Sequence, residues 1–240
     1  CQNATASSIS VTASGGTGTL LYQWYSNAAN NTTSGTLIPS ANSSSYTPLT
    51  TNTGTTYYYC IVTTSASGCG VASNTSAVVV TAGPQINTQP VNSNVCVDGA
   101  TTQMCVTYTN GTGTPSYQWY SNTTNLNSGG TAIGGATTSC YTPPSNTAGT
   151  TYYYASISLT GGGCASISSN TAQVIITPDP VIASQPTASQ SICVGGTAGA
   201  LSVTMQANTG IGAFTYQWYS NTSASTSGGN SISVATAASY

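Results

Sequence analysis

The sequence predicts an all-β protein built from tandem copies of one β-sandwich. The hexapeptide Tyr-Gln-Trp-Tyr-Ser-Asn recurs at residues 22–27, 117–122 and 216–221, at steps of 117 − 22 = 95 and 216 − 117 = 99 residues. Apolar residues alternate along short segments, which is the pattern of a strand with one buried face. Clusters of Gly, Ser, Asn, Thr and Pro separate these segments and supply turns.

The length of the step predicts how the chain divides into domains. A step of 95 to 99 residues is too long for a solenoid unit and fits one sandwich per copy. We predict a first copy over residues 1–82 that lacks its opening strand, a complete second copy over 83–178, and a third copy over 179–240 that is truncated. Proline-flanked joints at residues 84–90 and 180–186 predict an extended rod.

Matching positions in the copies define a predicted core. We expect the second copy to be an antiparallel sandwich of roughly seven strands, with Trp119 and Tyr153 buried. The equivalent inward positions are Trp24 and Trp218 on the strand of the hexapeptide, and Tyr58, Cys60 and Val62 against Tyr153, Ala155 and Ile157 on a later strand.

The composition argues against an enzyme. The chain has no Lys, Arg, His or Glu, and its two carboxylates are Asp98 and Asp179. General acid–base and nucleophilic catalysis need titrating groups beside the reacting atoms. Binding of phosphate or of anionic lipid needs cations, and no apolar run is long enough to span a bilayer. We predict no catalytic residue, cofactor or metal, no nucleic-acid partner and no membrane insertion.

Both carboxylates lie near predicted turns or joints. Asp98 follows Cys96 in a Cys-Val-Asp-Gly turn, where we expect it to hydrogen-bond nearby backbone. Its counterparts are Asn3 and Gly195, so the position needs no charge. Asp179 stands between two prolines at the joint. Calcium held by backbone carbonyls at a joint remains an alternative, although one carboxylate per joint matches its charge poorly.

Eight cysteines without metal-ligand spacing predict disulfides and an oxidising compartment. An N-terminal cysteine can carry a lipid anchor. Cys1, however, lies 22 − 1 = 21 residues before Tyr22, as Cys96 lies 117 − 96 = 21 before Tyr117. Cys1 is therefore expected to be a cysteine within the repeat, in the place that Cys193 takes in the third copy.

The repeat positions also suggest how the cysteines pair. We predict one bond within the first copy, Cys1–Cys69, and its equivalent in the second, Cys96–Cys164. A third bond, Cys105–Cys140, is expected between neighbouring strands on the outer face of the second copy. Cys60 points inward and is expected to be a small buried hydrophobe rather than a reactive thiol. Cys60 and Cys193 are predicted to be unpaired.

Tyrosines on the opposite side of the strands predict an outer face. One interpretation is a stacking surface for glycan or for a neighbouring subunit. The alternative, which we favour, is cross-strand pairing that stabilises the sheet. The tyrosines are Tyr25, Tyr57, Tyr59, Tyr120, Tyr152 and Tyr154.

A core Trp on the third strand and a later Tyr-x-Cys strand resemble the immunoglobulin-like fold. The fuller pattern adds Ser-Tyr-Thr-Pro, Gly-Thr-Thr-Tyr-Tyr-Tyr and Gly-Cys. It resembles the tandem immunoglobulin-like repeats of giant Bacteroidota cell-surface proteins. That resemblance implies gliding-motility adhesins and related extracellular appendages, which are cargo of the type IX secretion system. It also implies a location at the cell surface.

The expected function is a structural stalk or fibre segment of a large extracellular adhesin or surface appendage. Such a segment would serve gliding motility or attachment to surfaces or prey. The alternatives are an array of glycan-binding modules and accessory domains of a secreted enzyme. The expected partners are neighbouring repeats, other copies in a multi-chain fibre, and surface polysaccharide. A net charge of −2 leaves little electrostatic defence against association.

Overall fold

A computed structural model describes residues 1–66 and 68–240. The strands in residues 1–82 are β1 (Ile9–Ser10), β2 (Leu20–Asn27), β3 (Thr36–Leu37), β4 (Ser45–Tyr46), β5 (Gly54–Thr64), β6 (Gly70–Ala72) and β7 (Ser76–Val80). Those in residues 83–178 are β8 (Gln85–Thr88), β9 (Ser93–Cys96), β10 (Met104–Cys105), β11 (Thr107–Thr109), β12 (Thr114–Asn122), β13 (Thr131–Ala132), β14 (Cys140–Tyr141), β15 (Gly149–Thr160), β16 (Ile167–Ser168) and β17 (Ala172–Thr177). Residues 179–240 form β18 (Ile182–Ser184), β19 (Thr204–Met205), β20 (Tyr219–Ser220) and β21 (Asn230–Ser231).

The described chain is all-β. In the part that the structure covers, no helix has the length and hydropathy needed to cross a membrane.

The second copy is an immunoglobulin-like sandwich of two sheets. The larger sheet has the order β13-β12-β15-β17-β9, with β16 also paired to β15. The opposite layer is formed by the pairs β8–β11 and β10–β14. One pair, β17–β9, is parallel, so the expected antiparallel arrangement holds for the other strand pairs of the second copy and not for this one. Pro90 separates β8 from β9; because it has no N–H to donate, it ends pairing with one sheet and lets the chain cross to the other.

The core of the second copy lies between these two layers. Trp119 is 0% exposed and Tyr153 is 6% exposed, and both pack among the aliphatic residues of the core. Their burial is as predicted. Trp24 holds the same position in the first copy. Trp218 is only half-buried, because residues 179–240 contain no counterpart of β15–β17 to cover it.

The repeated hexapeptide uses its polar side chains to hold the backbone around the core. Gln118 Nε2 donates to the carbonyl oxygens of Trp119 and Ile133, both at 2.8 Å. Trp119 Nε1 donates to the Thr138 carbonyl at 2.9 Å, and Asn122 Nδ2 donates to the Leu126 carbonyl at 3.0 Å. Since every acceptor is a backbone group, the loop sequences can differ while the bonds are kept.

The same bonds recur in the other copies. Gln23 and Gln217 each donate to an isoleucine carbonyl at 2.8 Å. Trp24 and Trp218 each donate to a carbonyl 19 residues further on, at 2.9 Å. The hexapeptide therefore has the same structural role in every copy: its side chains hold the backbone around the core.

A serine that precedes the last strand bonds the backbone in each of the first two copies. Ser169 is fully buried; its Oγ accepts from the N–H of Ala155 at 3.0 Å and donates to the Asn170 carbonyl at 2.8 Å. Ser73 accepts from the N–H of Cys60 in the same way, at 3.0 Å. The serine satisfies backbone groups where the ladder is interrupted between β16 and β17.

Candidate functional site

The joint between the first and second copies is held by a disulfide. Cys1 and Cys164 are bonded, with their Cα atoms 5.0 Å apart and a sequence separation of 163. Cys1 belongs to the first copy and Cys164 to the second. The bond is therefore a crosslink between two successive sandwiches.

This crosslink corrects the predicted pair Cys96–Cys164. Cys96 pairs with Thr177 where β17 ends, and Ile176 beside it pairs with Gly149 at the start of β15. Cys164 instead lies beyond the other end of β15. A strand of 12 residues spans about 36 Å. Because a disulfide needs Cα atoms closer than about 7 Å, these two cysteines cannot bond within one sandwich.

The predicted pair Cys1–Cys69 is wrong for the same reason. Cys1 Sγ lies 3.8 Å from Thr81 Oγ1, just past β7, whose partner in the sheet is the start of β5. Cys69 precedes β6, which pairs with the other end of β5 at Thr63. We call the end that carries Cys1 or Cys96 the downstream end of a copy, and the end that carries Cys69 or Cys164 the upstream end.

Backbone contacts join the two copies beside the disulfide. Gly111 donates its N–H to the carbonyl of Ala82 at 2.9 Å. Its φ of +74° is in the left-handed region, and a Cβ there would approach Pro84 to 3.2 Å and collide with Leu159. Glycine accommodates both this conformation and this close approach. The upstream end of the second copy thus fits closely against the linker.

The joint between the second and third copies repeats this arrangement. Gly210 has a φ of +71° and donates its N–H to the carbonyl of Pro178 at 2.8 Å. A Cβ on Gly210 would lie 3.0 Å from Pro180. Gly210 and Pro180 therefore take the places of Gly111 and Pro84. The two joints share one backbone geometry although their sequences differ.

The downstream end of each of the first two copies carries a cysteine turn. Val97 donates to the carbonyl of Thr177 at 3.0 Å, and Gly99 donates to that of Cys96 at 2.9 Å. In the first copy Gln2 donates to the Thr81 carbonyl at 2.8 Å. These bonds fix each cysteine beside the last strand of its copy.

A left-handed residue explains the variation within this turn. Asn3, Asp98 and Gly195 have φ values of 61°, 58° and 83°. Asn, Asp and Gly are the residues that tolerate this region best. Among the residues that the structure describes, the Asp98 carboxylate has no hydrogen bond, so the expected side-chain bond is not observed. The position is selected for backbone conformation.

The structure leaves four cysteines unpaired: Cys60, Cys69, Cys96 and Cys193. Cys60 is buried in the core of the first copy, and burial raises the pKa of its thiol while the backbone of Gln23 opposes the shift. Cys69 and Cys193 are exposed, and Cys96 is half-buried. The unpaired cysteines therefore divide into one core residue and three residues at the ends of copies.

The second disulfide lies within the second copy. Cys105 and Cys140 are bonded, with Cα atoms 4.1 Å apart, and they are direct partners of β10 and β14. Their neighbours Met104 and Tyr141 pack into the core. Because side chains alternate across a strand, this bond lies on the opposite, outer face.

The tyrosines expected on an outer face are not all available for binding. Tyr59 is 2% exposed and Tyr154 is 4% exposed, so the less favoured interpretation, a stacking surface that includes all six tyrosines, is wrong at these two positions. The loop between β12 and β13 folds back over Tyr154, whose hydroxyl accepts from the N–H of Gly130 at 3.1 Å. A Cβ at Gly35 would approach the hydroxyl of Tyr59 to 2.5 Å, so the first copy has the same cover.

The remaining tyrosines of that face pair within the sheet. Tyr120 stacks on Tyr154 with ring centroids 5.0 Å apart, and Tyr25 stacks on Tyr59 at 5.3 Å. Tyr57 and Tyr152 are half-buried. Aromatic cross-strand pairs of this kind stabilise a sheet. The arrangement favours a structural role for these side chains.

Metal ligands are sparse at the joints. Asp179 is exposed at the second joint. Within residues 1–66 and 68–240, no group of three or more Cys, Asp, Glu or His side chains comes together as a metal-binding set. At the first joint two side chains form a disulfide, and at both joints backbone groups pack closely.

One family model matches the chain, over residues 86–178, and is described as a domain of unknown function, DUF8696. The sequence comparison with curated proteins returns no match.

Several solved structures show a likeness at low identity. One is Sidekick-1 immunoglobulin domains 1–5, at 16% identity and a TM-score of 0.32, covering 78% of this chain and 40% of that one. Another is the fibronectin(III)-like modules of Clostridium thermocellum CbhA, at 15% identity and 0.34, covering 71% and 85%. A third is Drosophila OTK extracellular domains 3–5, at 15% and 0.33, covering 78% and 62%. The chain spans 40% of the length of the first of these. The immunoglobulin-like fold is assigned from the strand order of residues 83–178 itself.

Proposed function

We propose that this chain is a structural stalk segment of a large extracellular adhesin or surface appendage, with no catalytic activity of its own. The observation that carries the proposal is the Cys1–Cys164 bond between successive sandwiches. A disulfide of this kind persists in oxidising, extracellular surroundings. The close backbone packing at both joints supports a stiff, extended arrangement of the copies.

The crosslink gives the segment a mechanical property. When the two ends of the chain are pulled apart, the force passes through the disulfide and not through the residues that the bond encloses. Those residues span 163 positions, which corresponds to about 570 Å of extended chain. Residues 1–164 therefore cannot be extended by a force that acts on the two ends of the chain. A load-bearing stalk needs this property.

The finer proposal follows the resemblance of the repeats. We assign the stalk to a cell-surface adhesin of the Bacteroidota gliding-motility type, exported by the type IX secretion system. Lateral association into a multi-chain fibre suits a chain with a net charge of −2. Glycan binding by the tyrosine face receives less support, because Tyr59 and Tyr154 are buried.

Single-molecule stretching tests the mechanical role. The chain is held by tags at both ends and pulled with and without a reducing agent. We expect the total extension of the oxidised chain to be shorter by about 570 Å than that of the reduced chain. The Cys1→Ser variant should extend like the reduced chain, apart from the small loop closed by Cys105–Cys140. Equal extension of the oxidised chain and the Cys1→Ser variant would contradict the proposal.

A further inference from the structure

We propose that Cys69 and Cys96 are the open halves of two further disulfides of the Cys1–Cys164 kind, each with another copy of this repeat as its partner. Cys69 would bond the downstream-end cysteine of a preceding copy, and Cys96 would bond the Gly-Cys cysteine of a following copy. The inference deepens the stalk function and rests on it for the presence of neighbouring copies.

The first support is the placement of the cysteines within each copy. A complete copy has one repeat cysteine at each end, and the two are separated by the length of the long strand β5 or β15. The observed bond joins a downstream-end cysteine, Cys1, to the upstream-end cysteine of the next copy, Cys164. Cys69 is the upstream equivalent of Cys164, and Cys96 is the downstream equivalent of Cys1. Each therefore faces a joint and not its own domain.

The second support is independent of the cysteines. The joint that follows the second copy has the same backbone contacts as the crosslinked joint, with the Gly210–Pro178 hydrogen bond at 2.8 Å matching the Gly111–Ala82 bond at 2.9 Å. A third copy docked in this way would present its own Gly-Cys segment to Cys96. That segment has no counterpart within residues 179–240, so Cys96 has no partner in this chain.

Exposure agrees with this assignment. Cys69 is exposed and Cys96 is half-buried, whereas Cys60, which has no equivalent cysteine in the second copy, is enclosed in the core. The two end cysteines are thus accessible to an incoming thiol and to an oxidant.

The bond forms by thiol–disulfide exchange. An oxidised low-molecular-weight disulfide, such as glutathione disulfide, accepts two electrons and two protons from the two cysteine thiols. The products are one protein disulfide and two glutathione thiols. No other reactant is needed.

The consequence is an overlapping set of crosslinks along the rod. The observed bond encloses residues 1 to 164, and a bond from Cys96 would begin inside that span and end in the next copy. Residues 96–164 would then lie within two covalent loops at once. Loss of one disulfide would leave the copy still spanned by the other.

Completing the third copy tests the assignment of Cys96. Because Tyr240 matches Tyr141, the full chain is extended after residue 240 by a repeat of residues 142–178, which carries a second Gly-Cys segment. The protein is refolded in a glutathione redox buffer and digested with a protease that cuts at aromatic residues. We expect mass spectrometry to find Cys96 bonded to the appended cysteine. Cys96→Ser should leave the appended cysteine free.

A second extended protein keeps the test decisive if the completed third copy does not fold. In it, residues 179–240 are replaced by a repeat of residues 83–178, which contain both sheets of the sandwich. Cys96 should again bond the appended equivalent of Cys164. An N-terminal extension by residues 1–95 tests Cys69 in the same way, with the appended Cys1 as its expected partner.

Free Cys96 and free Cys69 in these folded proteins, or bonds to cysteines other than those named, would overturn the inference. The peptide map does not depend on force. A mapped Cys96 bond in a chain that shows no mechanical locking would therefore refute the stalk function and leave this inference standing.

Discussion

The first and second copies have the same strand register, but only the second has a disulfide across one of its strand pairs. In the first copy Ser10 is paired with Ser45, and in the second Cys105 is paired with Cys140 at the same place in the ladder. The third copy again has two serines, Ser202 and Ser239, as bridge partners. The core and the backbone therefore fix the geometry of this outer pair, whatever side chains occupy it. The stability of each copy can change there without changing the joints.

A second difference lies inside the core. Cys60 in the first copy takes the place of Ala155 in the second, and both are fully buried. Each donates its N–H to a serine, Ser73 or Ser169, at 3.0 Å. The two cores keep the same polar frame around a side chain of different size.

Replacing the core tryptophan should cause the greatest loss of stability, and the loss should be similar in the two copies. Trp119→Ala should destabilise the second copy, and Trp24→Ala the first, each by about 3–5 kcal/mol. Both side chains are buried and donate one hydrogen bond of 2.9 Å. Native-state hydrogen exchange read by mass spectrometry follows each copy separately. A large loss of stability from only one of the two substitutions would show that the two cores are not equivalent.

The outer pair should distinguish the copies. Replacing both Cys105 and Cys140 with Ser should lower the free energy of unfolding of the second copy by about 2–4 kcal/mol, because the crosslink restricts the unfolded chain. Chemical denaturation monitored by hydrogen exchange measures the loss.

The matched control reverses the change in the first copy. Ser10→Cys with Ser45→Cys should form a disulfide on oxidation and stabilise the first copy by a comparable amount. Failure of this bond to form would show that the two registers differ in solution.

The core position should give a smaller difference. Cys60→Ala makes the first core resemble the second, and we expect a loss of roughly 1 kcal/mol because the sulfur atom leaves a void. Cys69→Ala, at an exposed cysteine of the same copy, is the control and should leave stability unchanged. A similar loss from both variants would indicate that the effect does not arise from packing.

The smallest effect concerns alkaline pH. Burial raises the pKa of the Cys60 thiol above its ordinary 9.0, and burial raises the pKa of Tyr58 and Tyr153 above 10.0. The unfolded chain releases these protons first, so stability is full below the ordinary pKa and falls as pH rises towards the folded value. The first copy should weaken from pH 9.0, and the second only from pH 10.0.

Cys60→Ala should move the alkaline response of the first copy to that of the second. Thermal melts between pH 7 and 11 measure the response, with hydrogen exchange to separate the copies. A decline of both copies at one common pH, unchanged in the variant, would contradict this assignment.

Local patterns were sufficient to predict the all-β class and the core. Side-chain alternation places Trp119 and Tyr153 inside because a strand has a period of two. The same alternation places Tyr154 on the opposite face, and there it misleads, because strand periodicity says nothing about a loop folded over that face. The polar residues Gln118 and Asn122 and the glycine at Gly130 were the signals for this loop.

The pairing of the repeat cysteines needed more than the repeat register. Register identifies Cys1 with Cys96, but it does not say at which end of the sandwich each lies. The length of the strand between the two cysteines of a copy decides the pairing. Strand β15 has 12 residues, which span about 36 Å. That length separates Cys96 from Cys164 and excludes a bond between them within one copy.

Disulfide mapping of the oxidised, unreduced chain decides whether a covalent bond joins the two copies. Free thiols are blocked, and the chain is digested at aromatic residues because it has no Lys or Arg. Crosslinked peptides are identified by mass spectrometry, and fragmentation locates the bonded cysteine, because residues 60–108 form one peptide with four cysteines. We predict two disulfides in the crosslinked peptides, Cys1–Cys164 and Cys105–Cys140, with Cys69 and Cys96 blocked as thiols. Peptide pairs joining Cys1 to Cys69 and Cys96 to Cys164 would contradict it, since they would close each copy on itself and leave the joint without a covalent link.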